Sequence, residues 1–250
     1  MALPATGNLL LDSLPSGARR TCLQSGERCE VECGQEIFRE NDLASHAFFP
    51  VGAVCSMTIG LNSGAKTEVA LVGAEGFIGV SLIHGPRHSW FGATVQVSGL
   101  GYWMPLPVLA DLFNRNRPFR EAMLLYSWYS FNVLGRSAPC SGSHSITERL
   151  ARWLLATQDR VKRATFPFTH YGASEMLAAA RPSVSLAAGR LKAARVIGYK
   201  RGQIAILDRR RLEQMACECY ETMQRYEQFL PWLPGAKASR SVPASGFPPA

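Results

Sequence analysis

Residues 181–207, RPSVSLAAGRLKAARVIGYKRGQIAIL, hold side chains suited to gripping a polyanion. Arg181, Arg190, Lys200 and Arg201 offer cationic donors for phosphate oxygens and base edges, and Ser183 and Ser185 add hydroxyls. The spacing implies a helix entered at Pro182, because the N–H that proline lacks would have no partner in a first turn. Val184, Ala188, Leu191 and Ala194-Arg195 recur at helical intervals and form an inward side. Ser185, Leu186, Gly189, Arg190 and Ala193 share the opposite side, with Arg181 at the tip. VIGYKRGQIAIL then reads as strand, basic turn and strand, since Gly202 tolerates the positive φ of a tight hairpin.

Just upstream, THYGASEML predicts a shorter helix over about residues 170–177, capped by Thr169, with Met176 and Leu177 inward. Ala178–Ala180 leave room only for a tight connection. Two short helices so joined make a helix-turn-helix, whose second helix enters the major groove N-terminus first. The hairpin would then set Lys200 and Arg201, with Thr169, against flanking phosphates. Charge agrees with this placement. Residues 145–215 carry 14 Lys+Arg against 5 Asp+Glu, whereas residues 1–144 carry 10 against 11 and residues 216–250 carry 3 of each. The formal excess of +8 therefore surrounds the candidate helix-turn-helix. A small helical core with a solvated basic face is the plainer alternative, but the ordered motif favours double-stranded DNA.

Nothing else points to catalysis. GAEGFIG, residues 73–79, spaces its glycines as G-x-x-G-x-x-G outside any βαβ unit, so it reads as a turn and a tight strand entry. Ser145 after His144 lacks a nucleophile elbow and reads as a helix cap. His46, His84, His88 and His170 are isolated, and most of them are expected at the surface. The seven cysteines are odd in number and scattered, as reduced thiols are. Cys22, Cys29 and Cys33 lack the tight spacing of an iron–sulfur motif. Cys217-x-Cys219 has no second ligand pair near it in the sequence, so neither metal nor cofactor is expected, with a redox-responsive pair as the alternative.

Composition, 47% apolar and 18% charged, is that of a globular chain. No apolar run reaches the ~20 residues of a membrane span, and NLLLDSL is too short for a signal core, so a cytoplasmic protein without membrane contact is expected. Residues 1–25, rich in Pro, Gly and Ser, read as a flexible arm. Residues 26–116 read as a β-roll or jelly roll, with short Val-, Ile- and Phe-rich strands punctuated by turns. Residues 117–143 read as one long helix, greasy enough around its circumference to be buried or to form a subunit interface. Residues 144–222 open with a second amphipathic helix, HSITERLARWLLATQDRV, capped by Ser145 or Thr147, and end with the winged helix-turn-helix. Residues 223–250 read as a largely disordered extension.

This order of parts, with FFPVGAVCSM, EVALVGAEGFIGV, HSITERLARWLLATQDRV, RPSVSLAAGRLKAARVIGYKRGQIAILD and CECY, resembles the Crp/Fnr family of bacterial transcription regulators over about residues 26–222. The resemblance implies an α+β chain: a cyclic-nucleotide-binding-like jelly roll, a long dimerisation helix and a C-terminal winged helix-turn-helix, acting as a homodimer on DNA. RNA polymerase and an unknown small-molecule effector are the further partners it implies. In that family a Gly-Glu pair and an Arg-Ser or Arg-Thr pair before an Ala-x-Val strand hold the cyclic nucleotide. Here those positions are Gly79-Val80 and Phe91-Gly92 before Ala93-Thr94-Val95, with Arg87 and Ser89 nearby, so the pocket is degenerate and no response to cyclic AMP is expected. Leu186 stands where many relatives carry a polar reader, Gly172 weakens the first helix, and Ala178 replaces the usual turn glycine. A ligand-sensing or interaction module with a degenerate DNA-binding domain is the alternative reading.

Overall fold

The computed structural model describes residues 3–236 apart from 63, 65 and 86. The first residues correct the expected flexible arm. They form α1 (Leu9–Ser13) and α2 (Ser16–Ser25), which bury Leu10, Leu11, Leu14, Ala18 and Cys22. Asn8 caps α1 by accepting from Leu11 N–H, while its amide donates to the Pro50 and Gly76 carbonyls at 2.9 and 2.8 Å. The composition hid an amphipathic turn whose leucines sit at helical spacing.

The roll follows as β1 (Glu27–Val31), β2 (Glu36–Phe38), β3 (His46–Val51), β4 (Val54–Gly60), β5 (Lys66–Val72), β6 (Gly92–Val97) and β7 (Gly99–Pro105). They form two antiparallel sheets, ordered β1-β7-β3 and β2-β6-β4-β5. Phe48, Met57, Ile78, Ala93 and Val95 fill the space between them. Phe38 and Phe48 lean on Trp103 with ring centroids 5.9 and 5.0 Å away, and of the three Phe48 is fully buried in the roll.

α3 (Leu106–Arg115) leads into the long α4 (Arg117–Ser143), capped where Asn116 Oδ1 accepts from Phe119 N–H. Phe119, Met123, Tyr126, Tyr129 and Val133 bury one side of α4, whereas Leu124, Trp128 and Phe131 lie exposed on another. The chain after residue 222 corrects the expected disorder. α9 (Cys219–Glu227) and the segment through Trp232 pack on α4, with Leu230 fully buried. Residues 237–250 of that expected tail lie outside the described residues.

α5 (Ile146–Val161) begins with a complete capping box: Glu148 N–H donates to Ser145 Oγ, and Ser145 N–H to Glu148 Oε2. Its apolar side, Leu150, Trp153, Leu154 and Leu155, joins a core shared with Val54, Leu71 and Val97 of the roll. At that junction Glu68 accepts from Trp153 Nε1 at 3.1 Å and from Ser56 Oγ. Farther along α5, Arg160 pairs with Glu75 at 2.9 Å, both nearly inaccessible, and its other arm reaches Tyr129 Oη at 3.3 Å. Gly76 beside Glu75 has no room for a side chain, since a Cβ would fall 1.9 Å from the Tyr126 ring. The turn read in GAEGFIG is thus the close approach of roll and long helix.

Two outcomes follow. Removing one partner of a buried ion pair strands the other charge, so Arg160→Met should cost about 3–5 kcal/mol in urea unfolding at pH 7, and adding Glu75→Gln should recover part of it. Burial pushes the Glu68 carboxyl up to about 7 from its ordinary 4.5, against the opposing hydrogen bonds from Ser56 and Trp153. The folded state therefore holds this proton more tightly than the unfolded chain does. The associated stability is complete below pH 4.5 and is lost as pH rises through 7. Unfolding free energies measured between pH 4.5 and 8 should show this decline, and Glu68→Gln should flatten it.

Candidate nucleic-acid interface

The helix-turn-helix is α6 (His170–Met176) followed by α7 (Arg181–Ala193). Val184, Ala187, Ala188 and Leu191 of α7 pack on α5, while Met176, Leu177 and Ala173 close the same core. Ala178 takes φ +45 in the connection, a left-handed conformation that explains why a glycine would suit it better. Thr169 Oγ1 caps α6 by accepting from Gly172 N–H at 2.9 Å. A Cβ on residue 172 would sit 3.1 Å from that oxygen, so the glycine accommodates the cap.

Beyond α7, β9 (Ile197–Lys200) and β10 (Gln203–Ile206) make the hairpin. Arg201 and Gly202 both have positive φ, +50 and +76, as a two-residue turn of type I′ demands. The Phe166-Pro167 segment, read as a break, is instead a third strand, β8 (Thr165–Pro167), pairing with β10; proline is tolerated at this sheet edge.

The proposed readers are not all brought together. Arg181, at the first position of α7, is exposed, as are Lys200 and Arg201 on the hairpin. Ser183 is half-buried beside Arg181. Arg190 lies nine residues along α7, about 13 Å from the tip, where it complements the helix C-terminus. Ser185 is engaged by His170, its Oγ 2.9 Å from Nδ1, and Thr169 is engaged as a cap. His170 corrects the expectation of an isolated surface residue, since its ring sits 5.7 Å from both Phe168 and Tyr199. Leu186 is 60% exposed on the outward face.

Comparison with known proteins now decides the domain. Residues 148–215 match the Crp-like helix-turn-helix domain. The chain carries a Crp-like helix-turn-helix. Its fold is that of solved regulators of this type. FixK2 from Bradyrhizobium japonicum superposes with a TM-score of 0.67 at 15% identity, covering 77% of this chain and 98% of that one. The c-di-GMP responsive global regulator CLP of Xanthomonas campestris gives 0.64 at 12% identity, covering 77% and 99%. The CRP-family transcriptional regulator TTHB099 of Thermus thermophilus gives 0.62 at 15%, covering 76% and 96%. No curated protein matches in sequence. Among the described residues no helix is long and apolar enough to cross a membrane.

Set against the Crp/Fnr arrangement, the cassette residues disperse. Gly79 takes φ +101 at the mouth of a 3-10 turn, and Val80, in the place of the family's glutamate, is buried among apolar groups. Arg87 is exposed to solvent. Ser89 is buried and donates to the Phe91 carbonyl at 2.7 Å, while Phe91 packs on the roll core. Gly92 fits because a Cβ there would meet Thr58 Oγ1 at 2.8 Å.

One constellation corrects the expectation of no metal-ligating set. The second pair missing from the neighbourhood of Cys217 and Cys219 is Cys140 and His144, four residues apart at the end of α4, and the four ligand atoms all lie within 4.8 Å of one another. The helical spacing of Cys140 and His144 was the available signal, but only the fold carries it to the other pair. Cys22, Cys29 and Cys33 form no such group among the described residues.

The Crp-like turn yields a stability test. Ala178→Gly relieves a left-handed alanine, a strain of about 1–2 kcal/mol partly offset by the glycine's greater unfolded freedom. The variant should match or exceed the parent in thermal unfolding, whereas Ala188→Gly inside α7 should lower stability by about 1 kcal/mol or more.

Proposed function

We propose that this chain is a homodimeric DNA-binding transcription regulator of Crp/Fnr type, working in the cytoplasm and without cyclic AMP as its effector. The observation that carries the reading is the exposed, basic leading end of α7 beside the Lys200-Arg201 wing, on a domain that matches the Crp-like helix-turn-helix. In a dimer the two α7 N-termini would enter successive major grooves about 34 Å apart. Arg181 would read a base or phosphate, with Ser183 beside it, while Lys200 and Arg201 anchor the flanking backbone. Thr169 and Ser185 act through the geometry of α6 and α7, and Arg190 lies at the periphery of the contact.

The face of α4 bearing Leu124, Trp128 and Phe131 supports dimerisation. Phe131 alone is 75% exposed, an unusual cost for an aromatic that nothing covers. Against cyclic AMP stand Val80 and Phe91, apolar where ribose and phosphate partners would have to be, and the aromatic filling of the roll. An effector of other chemistry and contact with RNA polymerase are part of the same proposal. The exposed Leu186 favours a second reading, in which the DNA-binding module has lost its specificity and the chain senses or recruits instead.

Selection of bound sequences from random DNA, followed by mobility shift across salt concentrations, separates the two. A two-fold related consensus with steeply salt-dependent affinity is expected. Arg181→Ala should weaken that site by about 1–3 kcal/mol, and Phe131→Glu should weaken it together with dimerisation. No enrichment and no binding at low salt would sink the reading.

A further inference from the structure

The four-residue cluster at the end of α4 has the dimensions of a tetrahedral metal site. Cys140 Sγ lies 3.7 Å from Cys217 Sγ, and Cys219 Sγ lies 3.7 Å from His144 Nδ1. A zinc ion with bonds of about 2.3 Å to sulfur and about 2.0 Å to nitrogen has tetrahedral edges of about 3.8 Å between sulfurs and about 3.5 Å between sulfur and nitrogen. The spacing therefore suits one ion among four ligands. An iron–sulfur cluster would stand its ligand sulfurs farther apart, around several irons.

The surroundings point the same way. Cys140, Cys217 and Cys219 are buried against one another, as the sulfur ligands of a closed structural site are. His144 turns Nδ1 toward the sulfurs and Nε2 toward Glu218, 2.9 Å from Oε2. A carboxylate on the far nitrogen of a ligating histidine fixes its tautomer and orientation. Charge is also matched. Three thiolates, one neutral imidazole and Zn²⁺ sum to a single negative charge. Arg149, buried in the first turns of α5, has no carboxylate in ion-pair range among the described residues and donates instead to Ser141 Oγ and the Leu177 carbonyl. Its Nε and that of Arg152 are buried without a partner among the described residues.

We propose that Cys140, His144, Cys217 and Cys219 bind one structural zinc ion, which clamps the chain following the winged helix onto the corner between α4 and α5. The ligands come from two places in the fold. Cys140 and His144 end the long helix, and Cys217 and Cys219 connect α8 (Arg209–Met215) to α9. Tyr220, the next residue, donates to Asp159 Oδ2 at 2.7 Å and so ties the same strap to α5. The site stands apart from the DNA-binding reading, because every feature that supports it is local.

Elemental analysis of the full chain purified under reducing conditions should find about one zinc per chain. Chelator-stripped protein refilled with Co²⁺ should show the intense visible bands of tetrahedral cobalt and a near-ultraviolet thiolate charge-transfer band. Glu218→Gln, which leaves the four ligands in place, should weaken zinc affinity 10- to 100-fold in competition with a chromophoric chelator. Cys33→Ser, altering an exposed cysteine elsewhere, should retain full metal. Should Cys217→Ser fail to fold, the zinc content and cobalt spectrum of the parent still decide. Substoichiometric zinc with no tetrahedral cobalt spectrum would overturn the proposal, as would a Cys140–Cys217 disulfide in the reduced preparation or an iron chromophore in place of zinc.

Discussion

The buried carboxylate of Glu75 is the fixed point of this molecule. A charge so enclosed must be paired, and Arg160 of α5 supplies the partner across 85 residues of sequence. The pairing brings the helix-turn-helix domain against the roll. The rest of the turn recruits everything else. Gly76 lets the Tyr126 ring of α4 lie against the backbone, Leu9 N–H donates to the Ala74 carbonyl at 2.7 Å, and Trp232 Nε1 donates to the Glu75 carbonyl at 2.9 Å. N-terminal segment, roll, long helix, α5 and C-terminal segment therefore meet at four residues. The roll and the helix-turn-helix domain cannot move relative to each other without disturbing this cluster.

The parts legible in sequence are those specified locally. Pro182, the apolar period from Val184 to Leu191 and Gly202 each act within a few residues, and the recognition helix and hairpin formed where that pattern put them. Of the two cap candidates, Ser145 and Thr147, it is Ser145 that caps α5, in a capping box with Glu148. The features that escaped depend on partners far along the chain. Leu10, Leu11 and Leu14 are ordered by the surfaces they cover rather than by propensity, so a Pro- and Gly-rich composition obscured them. β8 is three residues that count as a strand only because β10 lies beside them. Cys140 and Cys217 are 77 residues apart and become neighbours only after α4, α5 and the wing have folded.

The thin chemistry of the recognition helix also acquires a physical account. Ser185 is drawn inward by His170, and that ring packs edge-on against both Phe168 and Tyr199, which touch each other, so α6, α7 and the wing are tied together. A hydroxyl that could have met a base is used for rigidity. With Leu186 apolar, Arg181 remains the long polar side chain at the leading end. Sequence discrimination under the proposed function then rests on placing few contacts accurately and on the bending and groove shape of the DNA, more than on a dense set of base contacts.

Accurate placement makes demands on α5, the helix on which α7 packs. Its 16 residues span about 24 Å. Arg160 pins it near the C-terminal end and the Trp153–Glu68 bond ties its middle to the roll, so its first two turns are the lever that sets the position of the other end. A pivot of that lever displaces the far end, and two subunits would double the error between half-sites. The far end of α5 is the corner at His144 and Ser145, where α4 ends. A further pin at that corner would serve a paired recognition surface with few readers, and the proposed Cys140, His144, Cys217 and Cys219 site lies there. Under the two proposals the sparse reading face and the clamp answer one constraint, since geometry would supply the specificity that side chains do not.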